Sequence, residues 1–220
     1  MTIETRTIGV TTHGRYLVVE PRAAASVPAP LLVGFHGYGE DAPAHLARLT
    51  GIPGIERWRV VSVQGLHRFY RRRSESVVAS WMTREDREWM IRDNIDYVAA
   101  VVEEVKRERP SLEAVVFAGF SQGAAMAYRA AVLGELRPRG VIALGGDIPP
   151  ELDRDALASI PGALIGRGEQ DEWYTAGKHA ADRDRLTAAG VAVQAVTLSA
   201  GHEWTPEFGV AAASFLSRCA

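Results

Sequence analysis

Gly119-Phe120-Ser121-Gln122-Gly123 is a G-x-S-x-G segment. An apolar run, Ala114–Ala118, precedes it, and a helical stretch that carries Ala124, Ala125 and Ala127 follows it. A tight strand-to-helix turn of this kind strains the serine backbone and holds its hydroxyl clear of the sheet. The helix start behind the serine leaves free N–H groups and a positive dipole end, both suited to a developing anion. The chemistry that fits is attack by the Ser121 hydroxyl on a carbonyl carbon. An alcohol is a weak nucleophile at neutral pH and needs a base within reach. Of His13, His36, His45, His67, His179 and His202, only His202 follows the last candidate strand, in Ser199-Ala200-Gly201-His202-Glu203-Trp204. Gly201 gives that loop the freedom to aim the ring.

The base in turn needs an acid to fix its tautomer and stabilise the imidazolium. Asp171 lies just after the run Ala163–Ile165, in Gly166-Arg167-Gly168-Glu169-Gln170-Asp171. That position is the C-terminal strand edge, where sites of open α/β sheets collect. Asp171 gives the chain order Ser, Asp, His that this arrangement uses, and it is preferred over Glu169, Glu172 and, after Gly145-Gly146, Asp147, which compete for the role. Two backbone donors are expected to complete the site. One is the N–H of Gln122, directly after the nucleophile. The other is the N–H of Tyr38, in the glycine-bearing loop Phe35-His36-Gly37-Tyr38-Gly39-Glu40. His36 reads as a residue that braces this loop.

Positioning these groups requires a particular order of elements. Leu31–Phe35, Val60–Val63, Ala114–Ala118, Val141–Leu144, Ala163–Ile165 and Val193–Leu198 are short apolar runs, mostly unbroken, as parallel strands buried on both faces require. Helical patterns lie between them. From about Asp86 to Arg109, Ile91, Ile95, Val98, Val102 and Val105 repeat at three- and four-residue spacing, and Pro110 stops the helix. Further helices are predicted from Gln122 to Gly134, from Ala176 to Ala189, and from Pro206 to Ser217. Strand alternating with helix predicts a doubly wound, mostly parallel α/β sheet in one domain over residues 1–220. Thr7–Val10 and Tyr16–Glu20 flank Thr12-His13-Gly14 and predict an antiparallel hairpin at the N-terminal edge. Arg22–Pro30 reads as a loop.

With these pieces in order, the chain resembles the phospholipase/carboxylesterase family of small α/β-hydrolases, which includes acyl-protein thioesterases. The matching pieces are His36-Gly37-Tyr38-Gly39, Gly119–Gly123 with Ala124-Ala125-Met126, Gly145-Gly146 with Ile148-Pro149, Gly166 to Asp171, and Gly201-His202-Glu203. The resemblance implies the α/β-hydrolase fold and hydrolysis of carboxylic esters, with thioesters or lysophospholipids as further candidates, without a cofactor. The family usually places a small apolar residue and a proline after the acid, where this chain has Glu172-Trp173-Tyr174-Thr175. It also often has an aspartate after the oxyanion loop, where this chain has Glu40-Asp41. The departures point to a different pocket rather than a different triad.

Composition narrows the partners. A formal charge of -2 on 220 residues offers no electrostatic reason to bind nucleic acid or an anionic membrane surface. Arg68-Phe69-Tyr70-Arg71-Arg72-Arg73 is a lone basic run and reads as a solvated loop overhanging the site face. The single cysteine, Cys219, has no partner for a disulfide and reads as a frayed, inert thiol. No apolar stretch is long enough to span a membrane, and no leader is evident, so a cytoplasmic protein is expected. The histidines lack metal-ligand spacing, and no phosphate-binding glycine motif is present, so neither metal nor nucleotide cofactor is expected. The expected partner is a small ester, with the chain as monomer or homodimer. Trp81, Trp173 and Trp204 are candidate aromatic walls for that ester, and Met82 and Met126 read as core filler. With so few residues outside the core, no large lid domain is expected and the site should be open. A small serine peptidase, an acyltransferase and a non-catalytic binding protein on the same fold are the alternatives.

Overall fold

The computed structural model describes residues 2–22, 27–72 and 74–219. In chain order the elements are β1 (Arg15–Val19), β2 (Ala29–Phe35), α1 (Ala42–Thr50), a 3-10 turn (Ile55–Arg57), β3 (Arg59–Gln64), β4 (His67–Tyr70), β5 (Val77–Ser80), α2 (Arg87–Glu108), β6 (Ser111–Phe120), α3 (Gln122–Leu133), β7 (Gly140–Leu144), α4 (Arg154–Leu157), β8 (Gly162–Gly168), α5 (Ala176–Ala188), β9 (Ala192–Leu198) and α6 (Pro206–Leu216). Seven strands form one sheet in the order β1-β3-β2-β6-β7-β8-β9. All neighbours pair in parallel except β1, which runs antiparallel to β3.

The central strands read as unbroken apolar runs because each face of the sheet has its own core. Leu31, Val33, Phe35, Val115, Phe117, Val141 and Ile165 face α2, α3 and α5. The alternate residues Leu32, Val116, Ala118, Ile142, Leu144 and Leu164 face α1 and α6. This is the two-residue side-chain period of a strand covered on both sides. On α2 the buried positions include Val98, Val102 and Val105 from the predicted apolar face. Ile91 and Ile95 lie nearer the rim.

Chain direction reverses at the centre of the sheet. From β2 the chain moves outward to β3, beyond which β1 forms the edge. From β6 it moves the other way to β7, β8 and β9. The loops after β2 and β6 therefore diverge, and a crevice opens at the C-terminal strand ends, where ligands of open α/β sheets bind.

Three sequence expectations change here. An antiparallel edge is present, but β1 pairs with β3 rather than with Thr7–Val10, which is exposed and carries no regular structure. The basic run from Arg68 lies largely on β4, which pairs with β5 as a ribbon; the ribbon docks on the loop after β2 through Gly39 N–H donating to Ala79 O (2.9 Å) and Ala79 N–H to Glu40 O (2.8 Å). Arg73 lies outside the described residues, as do residues 23–26 of the loop read over Arg22–Pro30. Cys219 is not frayed: it packs half-buried against the core under α6, and burial raises its thiol pKa.

One buried group makes stability depend on pH. His45 on α1 is fully buried beneath the sheet, with Nε2 at 3.4 Å from Ala118 O and its ring edge-on to Trp204. Burial, with help from Arg48, pulls its pKa down to about 3. The unfolded chain binds this proton near pH 6.5 and the folded chain does not. Its contribution is thus intact above about pH 6.5 and is lost as pH falls toward 3, at about 1.4 kcal/mol per pH unit. Urea unfolding at pH 7.5 and pH 5.5 should show a lower midpoint at the acid value, and His45→Gln should flatten the difference.

Candidate active site

Ser121 sits at the turn from β6 into α3 with φ 54° and ψ -119°, a left-handed conformation that a non-glycine residue rarely holds. The surroundings enforce it. The Ser121 N–H donates to Leu144 O (2.8 Å), and its own carbonyl accepts from Ala124 N–H (3.0 Å). The two flanking glycines are needed for close approach. A Cβ on Gly119 would lie 2.1 Å from Gly123 O, and one on Gly123 would lie 2.0 Å from Phe35 O.

The structure brings the predicted base and acid to this serine. The Ser121 hydroxyl is 2.8 Å from His202 Nε2, and His202 Nδ1 is 2.7 Å from Asp171 Oδ2. With the ring proton on Nδ1, that nitrogen donates to the carboxylate and Nε2 accepts from the serine. Asp171 is buried, and its Oδ1 accepts the N–H groups of Trp173 and Tyr174, each at 2.9 Å. The His202 ring packs on Phe120 (5.0 Å between centroids), and the Arg48 guanidinium also lies over the Phe120 ring, 4.5 Å from its centroid. None of the rival acids pairs with His202. Glu169 and Glu172 are exposed, and Asp147 pairs with Lys178 at 3.0 Å.

The two residues expected to supply donors, Tyr38 and Gln122, line the same cavity as Ser121 and His202. Gln122 is the first residue of α3, so its N–H has no partner within the helix. Its side chain ties down the segment after β5: Oε1 accepts from Trp81 N–H (3.0 Å), and Nε2 donates to Met82 O (3.0 Å). The loop of Tyr38 is held from both sides. Gly37 N–H donates to Glu40 Oε2 (2.8 Å), and Arg48 makes two 2.7 Å bonds to the Glu40 carboxylate. Burial alone would raise the Glu40 pKa, but Arg48 and the Gly37 N–H outweigh it and hold the carboxyl below its ordinary range. His36 is buried as the brace expected of it, with Nδ1 donating to Gly37 O (2.7 Å) and Nε2 accepting from Gly65 N–H (3.0 Å). Its burial lowers its pKa and keeps it neutral.

Beside Ser121 and His202 lies a cavity of about 810 Å³. Of the three candidate tryptophans, only Trp173 lines it, as an exposed rim residue. Trp81 is fully buried, its indole N–H donating to His36 O (2.8 Å) and its ring against Phe35, so it braces the loop that carries Tyr38. Trp204 packs against Phe208 and His45 on the far side of the sheet. Met82, read as filler, lines the cavity, as do Arg87, Arg129 and Lys178. Those charged residues were missed, although Arg129 stands seven residues beyond Gln122 and so on the same face of α3. Among the described residues, no cluster of three or more His, Cys, Asp or Glu could hold a metal ion, and no helix is long and apolar enough to cross a membrane.

The parallel sheet, the serine on its strand-to-helix turn and the histidine–aspartate pair at the strand edge define an α/β-hydrolase. A family model described as Phospholipase/Carboxylesterase matches residues 16–220, and the chain belongs to that family, a family of hydrolase enzymes. Solved structures of the same fold include esterase PE8 (19% identity over 95% of this chain and 100% of that one, TM-score 0.73). A Bacillus cereus carboxylesterase (18%, 94% and 95%, 0.69) and Zea mays acyl-protein thioesterase 2 (19%, 94% and 99%, 0.70) are similarly related. No curated protein matches the sequence.

Proposed function

We propose that the chain hydrolyses carboxylic esters of small or medium size through an acyl-enzyme on Ser121. The observation that carries the reading is the unbroken chain of contacts from the Ser121 hydroxyl through His202 to Asp171, at 2.8 and 2.7 Å, beside an open cavity. In the acylation step Ser121 Oγ attacks the ester carbonyl while His202 Nε2 takes its proton. The oxyanion that forms is held by the N–H groups of Tyr38 and Gln122, and the Asp171 carboxylate stabilises the imidazolium. His202 then gives the proton to the departing alkoxide. In deacylation, water loses a proton to His202 and attacks the acyl carbonyl, and the acid leaves as Ser121 recovers its proton. The cavity is walled by side chains of the same small domain and has no separate cap, which suits esters of modest length.

Nitrophenyl esters of increasing acyl length, assayed beside a matched thioester and a matched anilide, test this. Turnover that peaks at one length, with the anilide left intact, is the expected pattern. Cleavage of the anilide in preference to the ester would point to a peptidase instead.

Gly145, at the end of β7, lies beneath the pair. It has φ +67°, and a Cβ there would sit 3.0 Å from His202 Cε1 and 3.4 Å from Asp171 Oδ2. Gly145→Ala should therefore displace the imidazole and lower kcat by about 10²-fold, the cost of a small misplacement of a reacting group. Steady-state kinetics with the preferred ester, alongside the melting temperature, would separate this from unfolding. A variant with wild-type kcat would show that the ring tolerates the shift.

A further inference from the structure

Gln122, Ala125 and Arg129 follow one face of α3 at spacings of three and four residues, and all three line the cavity. From Gln122, next to the nucleophile, that face runs about 10 Å along the helix axis to Arg129. The Arg129 side chain is 2% exposed, yet it reaches the cavity. Its Nε donates to Glu151 Oε1 at 2.7 Å and Nη2 stands 2.7 Å from the same oxygen, whereas Nη1 has only the Met82 thioether at 3.7 Å, a weak acceptor. A buried guanidinium with a terminal nitrogen lacking an oxygen partner is uncommon in a folded chain.

Arg87, also on the cavity wall, meets the other oxygen of the same Glu151 carboxylate at 3.3 Å. Two guanidiniums thus share one carboxylate at this end. Burial alone would raise the Glu151 pKa, but hydrogen bonding and the charge of Arg129, with Arg87, hold it below its usual value. The remaining cation of the wall, Lys178, is neutralised by Asp147 at 3.0 Å and also donates to Trp173 O. The excess positive charge therefore belongs to the Arg87–Arg129 end.

We infer that this end of the cavity binds an anionic group of the substrate, so that the preferred esters carry a carboxylate about two helical turns from the scissile bond. The inference rests on the reading of Ser121 as nucleophile and names the substrate class of that site. Met82, Ala125 and Ile148 line the stretch between and suit a methylene chain. The carboxylate then takes the Nη1 hydrogens of Arg129 and the outer edge of Arg87. Such a group lies on either side of the ester: at the end of the acyl chain or at the end of the alcohol.

The test compares matched pairs. For the acyl arm, nitrophenyl monoesters of adipic through sebacic acid are set against nitrophenyl alkanoates of equal length. For the alcohol arm, the butyrate ester of hydroxyhexanoic acid is set against hexyl butyrate. In one arm the charged ester should have kcat/KM about 10-fold above its neutral partner, mostly through KM, and added salt should reduce the ratio. Arg87→Gln should lower the ratio, and Glu151→Gln, which leaves the guanidiniums less compensated, should raise it. That rise is an effect no structural role of the ion pair produces, and it does not require removal of the buried Arg129. Equal kcat/KM for charged and neutral partners in both arms would overturn the inference while leaving the esterase standing. Failure of the wild type on every ester, neutral ones included, would overturn the reading of Ser121 as well.

Discussion

Ser121→Ala is expected to lower ester turnover by about 10⁵-fold, the scale on which serine hydrolases depend on their nucleophile. The change removes one oxygen and little else. Ser121 Oγ makes its contact with His202 Nε2, while the position of the residue is fixed by its backbone bonds to Leu144 and Ala124. Alanine keeps those bonds and the same cost of holding φ 54°. Fold and melting temperature should therefore change little. Ser121→Gly should be as inactive but more stable, by about 1 kcal/mol, because glycine holds a positive φ without strain. Kinetics and thermal unfolding of the two variants together check this. Substantial turnover in either would place the nucleophile elsewhere.

The second large effect is expected at Asp171. Its Oδ1 is committed to the N–H groups of Trp173 and Tyr174, so an asparagine there must keep its oxygen on that side. The amide NH₂ then faces His202 Nδ1. That nitrogen has to accept, which moves the ring proton to Nε2, the atom that must receive the proton of Ser121. The geometry survives in the wrong tautomer, and kcat should fall by about 10⁴-fold with KM nearly unchanged. A fall of less than tenfold would mean that Asp171 orients nothing essential. The same experiment on Asp147 should have a small effect, since that carboxylate is turned to Lys178.

These residues were legible in the sequence because each lies after the C-terminal end of a sheet strand, β6 and β8 buried there and β9 a half-exposed edge. Apolar runs mark β6, β8 and β9, and the polar residue just past each one lies at the crevice. The tyrosine loop was legible for the same reason, following β2. What escaped was set by tertiary contact. Helix α1 carries a proline and a histidine in Ala42–Thr50, and its start is fixed by Asp41 accepting from Ala44 N–H (2.8 Å), a cap that a short, weakly patterned segment does not advertise. Strand β4 looks like a charged loop because its own side chains are largely exposed, and its order comes from pairing with β5, which is buried and docks on Gly39 and Glu40. The partner of β1 lies some forty residues along the chain in β3, beyond any local turn signal. Trp204 suggests a pocket wall because it stands two residues after His202, and Trp81 is a candidate wall with core packing as its alternative, but the side a residue presents depends on the register of its strand or loop. For Trp81 that register points the indole into the core under His36.

Arg129 illustrates the opposite case. In an alanine-rich helix it looks like a surface residue, and the signal for its position was the seven-residue interval from Gln122. The interval becomes meaningful only once Gln122 is known to start the helix beside Ser121. The structure adds what spacing does not carry: the burial of the guanidinium and its single shared carboxylate.

The central claim is that Ser121 is the nucleophile, activated by His202. Its most direct test is reaction of the folded protein with a fluorophosphonate, followed by peptide mass spectrometry. One adduct per chain is expected, on the peptide that carries Ser121, formed rapidly in the wild type and far more slowly in His202→Ala. A folded protein that takes up no adduct, or takes it up at another residue, would contradict the claim.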